Sequence, residues 1–434
     1  MLFFKISKRA QNNLNVIVGW LFIGYISLCS VTTLPIFSIP QIQISEIFFI
    51  LLLPLSFIYF KNRKCTSIDK LLFIYVSLFL INAIYHWNLT STFETFGSIY
   101  LVLMSIILSR FLAYENNFNS YIKKSMLGLF GVTTITGVLG LLLHFLNIDH
   151  SFGSIYNDFP YLGDVWRLHG LSWSNLLLSC IALSSFYLIL IDKKYTITFF
   201  IVLVSIIVTV FTLSKEIIIY SILMILGIYL KKHFISKKII LGLVSILSIF
   251  MVWFTFFVFA PKGQSLEISK IGNPTQIVPI AVFNIGNYEF YGTTYFYMAK
   301  ASLIFISQNP IWGIGSGQFS SQLQKAKSSG DYPSDLSVYD THDFYWGQIA
   351  ELGFLYVVFL GLLLVELYHL LNNRLQLEMK NFLFISLTFS YFLIAYLVGG
   401  SKHYRHFWIF IGIVNYFYLS YYYPIRTTNV TPST

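Results

Sequence analysis

Apolar runs separated by short polar turns fill most of this chain, and one long polar stretch, residues 261–345, interrupts them. The runs lie at approximately 14–36, 44–60, 70–87, 96–114, 125–147, 171–191, 196–213, 216–230, 239–260, 346–371, 380–399 and 405–423. Each is near the roughly 20 residues with which a helix crosses about 30 Å of hydrocarbon. They are continuously apolar rather than alternating with a period of two, which excludes the strands of an outer-membrane barrel. The pattern predicts an all-α polytopic membrane protein with about 12 transmembrane helices and one large loop. Nine spans fall in 1–260, the loop with its short helices in 261–345, and three spans in 346–434. Composition agrees: 56% hydrophobic and 11% charged is more apolar surface than a soluble domain needs.

The formal charge of +10 raises the question of nucleic acid, and its distribution answers it. When the turns are sorted alternately to two sides, 19 of the 28 Lys and Arg fall on one side, including Lys61, Lys123, Lys194, Lys232 and Arg374. By the positive-inside rule that side is cytoplasmic, with both termini inside and residues 261–345 outside. The basic residues orient the chain and form no nucleic-acid footprint. Cys29, Cys65 and Cys180 are too scattered for metal spacing and imply no disulfide framework. The apolar start at Leu14 lacks a small-residue cleavage site and reads as a retained first helix. Asn88-Leu89-Thr90 matches a glycosylation sequon, a pattern short enough to recur by chance.

Inside the loop, 293–308 reads as an amphipathic helix on the outer membrane surface, stopped by Asn309-Pro310. A glycine-rich turn follows, Ile311-Trp312-Gly313-Ile314-Gly315-Ser316-Gly317-Gln318-Phe319. No strand precedes it, so a nucleotide-binding reading of its glycines is disfavoured.

Candidate chemistry concentrates at the predicted outer side. Arg167, Lys215, Lys402 and Arg405 lie in short outer loops, where orientation discourages cations. Charged groups beside apolar segments usually face a cavity or a partner. The competing accounts are snorkelling to lipid headgroups, or pairing of Lys215 with the adjacent Glu216. His342, in Thr341-His342-Asp343, stands where the loop re-enters the apolar region, ahead of a run carrying Glu351 and Gly353. An imidazole of ordinary pKa can take a proton from a hydroxyl at neutral pH, although a loop histidine also serves as a cap for the helix that begins near Tyr345. Convergent Arg and Lys suit a leaving pyrophosphate, because they stabilise charge that grows as the bond breaks. No Asp, Glu or His spacing implies a metal; Asp331, Asp335, Asp340 and Asp343 read as loop solvation and capping.

These residues carry a resemblance. Asn309 to Phe319, then Thr341-His342-Asp343-Phe344-Tyr345, then Glu351-Leu352-Gly353-Phe354-Leu355, resemble the shared core of the O-antigen polymerases and O-antigen ligases. Arg167-Leu168-His169-Gly170 with Asn175, and Ser214-Lys215 where that family usually shows Ser-Arg, echo it; the likeness covers about 165–355. Asp343 replaces the usual Asn, Ser or Gln, and Lys300 is the only cation on the helix before Asn309, where an arginine often stands. The resemblance implies a bacterial inner-membrane glycosyltransferase of lipopolysaccharide biosynthesis that uses an undecaprenyl-pyrophosphate-linked glycan. It implies no metal, nucleotide sugar or other cofactor. In that picture His342 deprotonates the acceptor hydroxyl, which attacks the donor with inversion. Arg167, Lys215, Lys402 and Arg405 hold the leaving lipid pyrophosphate, while Tyr288, Tyr291 and Trp312 stack on sugars or sit as interface aromatics. Partners would be the lipid-linked oligosaccharide, the bilayer and a chain-length regulator. The weak cationic motifs favour polymerase, which extends a lipid-linked repeat, over ligase, which transfers finished glycan to lipid A-core. A transporter or flippase is the third reading, disfavoured by the nine-plus-three split and the lack of a repeat.

Overall fold

A computed structural model describes residues 8–32, 35–36, 39–60, 65–114, 118–159, 163–191, 195–232, 237–263, 277–334, 336, 338, 345–369, 378–396 and 404–422. The chain is mostly helical. Helix α1 (Lys8–Leu28) leads through a small hairpin, β1 (Pro35–Ile36) and β2 (Ile39–Gln43), into α2 (Ile44–Ser56) and a 3-10 turn. Then follow α3 (Ser67–His86), α4 (Leu89–Tyr114), α5 (Phe118–Phe145), the hairpin β3 (Gly153–Phe159) and β4 (Gly163–Leu168), and helices α6 (Ser174–Ile191), α7 (Tyr195–Val210), α8 (Glu216–Lys232) and α9 (Lys237–Phe256). The polar stretch contributes an antiparallel sheet of β5 (Phe257–Pro261), β6 (Ile277–Ile285) and β7 (Tyr288–Thr293), with β7 central, and helices α10 (Thr294–Gln308) and α11 (Phe319–Ser329). Helices α12 (Trp346–Leu352), α13 (Phe354–His369), α14 (Met379–Ala395) and α15 (Arg405–Tyr422) complete the described chain.

Among the described residues each predicted apolar run contains a helix, although 14–36 and 239–260 end in strands β1 and β5. Among the described residues three helices are long and apolar enough to cross a membrane, Ser67–His86, Leu89–Tyr114 and Ser120–Phe145, and several others are shorter and apolar. Their surfaces say why the protein is membrane-associated. On α3, Phe73, Ile74, Leu80, Ile81 and Ile84 are exposed at helical spacing, and on α7 so are Phe199, Phe200, Leu203 and Ile207. Water does not tolerate such continuous apolar faces, whereas lipid does.

Two expectations need correcting. The chain is not purely helical, because the connections among the described residues form three short sheets. A loop that returns along a membrane surface must still pair its backbone N–H and C=O groups, and a hairpin does so locally. The run 346–371 is also not one helix. Gly353 breaks it between α12 and α13, with φ of 74°. A β-carbon there would lie 2.0 Å from the Ile311 carbonyl oxygen, so only glycine lets the two backbones touch.

Contacts sort the helix ends into two groups. At one end Asp69 of α3 pairs with Arg110 of α4, and Asn415 of α15 donates to Asp69 (2.8 Å) and accepts from Thr66 (2.7 Å). All four are buried. Thr66 and Asp69 also cap each other's backbone N–H at the start of α3, a reciprocal cap that satisfies two orphan donors. The other end gathers the sheets, α10 to α12 and the turns after α3, α5 and α7.

Candidate functional site

At the loop-bearing end, β4 is anchored on both sides of Arg167. Trp166 stacks on His144 of α5 with ring centroids 3.9 Å apart, and Leu168 is fully buried while its N–H donates to the Phe211 carbonyl (2.9 Å). That docking lays Arg167 against the turn after α7, where its Nε donates to the Thr212 carbonyl at 2.9 Å. A guanidinium is well placed there, since the carbonyls at a helix C-terminus carry partial negative charge.

The same turn bears Lys215 and runs straight into α8, whose first residue, Glu216, is 6% exposed. Ser214 Oγ donates to the Glu216 carboxylate, and the N-terminus of α8 favours that anion. The Lys215 ammonium lies 5.4 Å above the ring of Tyr295 on α10, a cation–π contact. Burial pulls the Lys215 pKa down to about 8; Glu216 opposes that shift and Arg167 adds to it. Arg167, Lys215 and Glu216 therefore share one electrostatic environment although Arg167 stands far from the other two in sequence. Tyr404 joins them. Its hydroxyl accepts from Asn175 Nδ2 at 2.8 Å, and burial, then Glu216, push its phenol above the ordinary range. His169, beside Arg167, has its pKa lowered chiefly by burial, and its Nδ1 lies 3.0 Å from the Gly170 carbonyl.

Arg405 is held elsewhere. Its Nε donates to Glu46 of α2 at 2.6 Å, and the same carboxylate accepts from Tyr100 (2.9 Å) and from the Gln43 N–H (2.8 Å). Sequence reasoning grouped Arg405 with Arg167 and Lys215; in the fold it belongs to an ion pair with Glu46. Lys402 and the whole of Thr341-His342-Asp343-Phe344 lie outside the described residues. Tyr345, which follows them, donates to the Leu393 carbonyl at 3.2 Å and precedes α12.

The glycine-rich turn holds α12 and α13 in place through backbone contacts. Ile314 N–H donates to Ala350 (2.9 Å), Gly315 N–H to Glu351 (3.1 Å), and Phe354 N–H to Pro310 (2.7 Å). Asn82 of α3 ties the assembly to the bundle, donating to the Trp312 and Glu351 carbonyls and accepting from the Ser316 N–H. A β-carbon at Gly313 would meet the Glu351 carbonyl oxygen at 2.3 Å. The expected aromatics are largely spent on packing. Trp312 stacks on Tyr85 at 5.5 Å, Tyr291 is buried in the sheet with its hydroxyl on Glu289, and Tyr288 is exposed against Phe259.

Among the described residues no three His, Cys, Asp or Glu come together as a metal would require. Glu46, Asn82, Glu216, Tyr295 and Tyr404 escaped the sequence reading as site residues. One signal was present: an acid in the first turn of an apolar helix, as at Glu46 and Glu216, marks a capped, charge-bearing start. No family model matches the chain, and no curated protein matches it.

Proposed function

We propose that this protein is an O-antigen polymerase: an inverting, metal-independent glycosyltransferase that extends an undecaprenyl-pyrophosphate-linked glycan. The observation that carries the reading is the meeting of Arg167 and Lys215 over Glu216 at the loop-bearing end. The three charges sum to +1, and a diphosphate arriving there would meet a guanidinium fork and a point charge already desolvated. His342 is the proposed base for the acceptor hydroxyl; the backbone lattice from Asn309 to Phe354 fixes the helix that follows it. In this reading the chain has twelve crossings in a bacterial inner membrane, with both termini in the cytoplasm and the loop-bearing end in the periplasm. The described buried charges favour transfer over transport. Glu46, Asp69, Arg110, Glu216, Glu351 and Arg405 all lie near helix ends, whereas a transport path calls for charges along the middle of spans.

His342→Ala tests the reaction. It should abolish glycan elongation with protein abundance near normal, since general-base catalysis contributes about 10²–10⁴-fold. The product separates two enzymes: a lost polymerase leaves core bearing one repeat, and a lost ligase leaves bare core with polymer stranded on its carrier. Normal long-chain glycan in that strain would overturn the assignment.

A further inference from the structure

Helix α10 presents two different faces at the loop-bearing end. Tyr295 lies under Lys215 on one of them. Tyr297 and Lys300, three residues apart and so on a common face, are turned by about 200° and 140° from Tyr295. They open instead onto a cleft of about 190 Å³, completed by Ala301, Gly330, Asp331, Tyr332 and Pro333. Along the helix axis Lys300 stands only about 7.5 Å beyond Tyr295. The cleft is thus near the Arg167–Lys215 cluster but separated from it by the body of α10.

Its floor is built before any ligand arrives. Gly330 ends α11 in the left-handed conformation, with φ of 86°. Tyr332 is 2% exposed and its N–H donates to the Ala326 carbonyl at 3.0 Å. Lys327 Nζ donates to the Leu336 carbonyl at 2.7 Å, closing the turn from its far side. A wall held in this way loses little freedom on binding. The polar lining is the chemically informative part: the exposed Asp331 carboxylate, which also accepts from Ser329 Oγ at 2.8 Å, the exposed Lys300 ammonium and the half-buried Tyr297 phenol. A polyanion is repelled by Asp331 and a cation by Lys300. A neutral ring bearing many hydroxyls satisfies both, donating to the carboxylate, accepting from the ammonium and laying its C–H face against a phenol.

We propose that this cleft is a saccharide subsite that grips the glycan away from its reacting end. The chain-length consequence rests on the glycan-transfer reading; the binding itself does not. Held there, an elongating chain dissociates more slowly between additions, so the subsite sets how many additions follow one encounter while leaving the chemical step alone.

The test uses the purified full-length protein in lipid nanodiscs with methyl glycosides of glucose, mannose and N-acetylglucosamine as probes, read by saturation-transfer NMR. Signal should pass from protein to at least one glycoside, and Asp331→Asn and Lys300→Gln should each weaken binding about 2- to 10-fold, the scale of one lost hydrogen bond. Both residues are exposed, so both variants should fold; Tyr297→Ala adds the ring contact. In cells Asp331→Asn and Lys300→Gln should shift the glycan ladder to shorter chains with the first addition unchanged. No transfer to any glycoside, or equal transfer in all variants, would overturn the subsite. A deletion strain with an unaltered ladder would overturn the transfer reading instead, and the NMR result would still decide the cleft.

Discussion

Lys215 is the residue whose chemistry depends most on its surroundings. Burial beside Arg167 brings its pKa to about 8, so it is protonated below that pH and neutral above it. A protonated Lys215 binds an anion and a neutral one does not, so affinity for inorganic pyrophosphate should fall as pH rises through about 8. Calorimetry on Lys215→Arg should show that alkaline limb removed, because a guanidinium stays charged. Arg167→Gln should weaken pyrophosphate binding by roughly 10- to 100-fold at neutral pH, the equivalent of one hydrogen bond to a charged group. Arg405 calls for a different experiment, since its partner is Glu46. Arg405→Gln alone should lower thermal stability by about 3 kcal/mol, the scale of an orphaned buried charge, and adding Glu46→Gln should restore much of it. A double variant no more stable than the single one would remove the pair from the account. Lys215 and Arg167 were legible as outward cations in the wrong place for orientation. Glu46 as the mate of Arg405 was not, because their meeting requires the first turns of α2 and α15 to be brought together in the fold.

At the scale of elements, the break between α12 and α13 shows how a local choice serves a distant contact. Gly353→Ala would force an L side chain into a left-handed backbone and press its β-carbon into the Ile311 carbonyl. The conformational penalty alone is about 1–3 kcal/mol, because φ of 74° with ψ of −166° is a region essentially restricted to glycine, and the collision adds to it. Thermal unfolding in detergent should show a clear loss for Gly353→Ala and none for Gly361→Ala, whose β-carbon meets nothing within 4 Å. The predicted helix at 293–308 appears as Thr294–Gln308, ending before Asn309-Pro310 as expected. The span at 346–371 read as continuous because hydropathy averages over a single glycine. Glu351 and Gly353 within three residues were the available sign that the apolar run does not start as one helix.

For the whole molecule, orientation decides which side of the membrane the loop-bearing end serves, and a native residue serves as reporter. Cys65 is exposed and sits beside Thr66 at the end away from the loops, while Cys29 and Cys180 are buried. Ser328→Cys adds a thiol on α11 at the loop-bearing end. An impermeant thiol reagent applied to intact spheroplasts should label Ser328→Cys and leave Cys65 unlabelled until the membrane is opened. Labelling of Cys65 in sealed cells would invert the topology and place the proposed site on the wrong face.

Apolar run length, the charge asymmetry of 19 against nine and the punctuation by Pro and Gly determined the helices and the expected orientation, because those properties act locally or add along the chain. Lys215 beside Glu216 was visible for the same reason. Arg167 beside Lys215, Arg405 on Glu46 and Asp69 on Arg110 were decided only in three dimensions. The last two are opposite charges from segments far apart in sequence, and a desolvated charge is stable only where packing supplies its partner; the two cations repel each other, and the Thr212 carbonyl and Glu216 offset that repulsion. The glycine-rich turn belongs with them: its motif was plain in the sequence, but that its bare backbone exists to touch the α12–α13 break, and Asn82 to hold both, depends on how closely three segments approach.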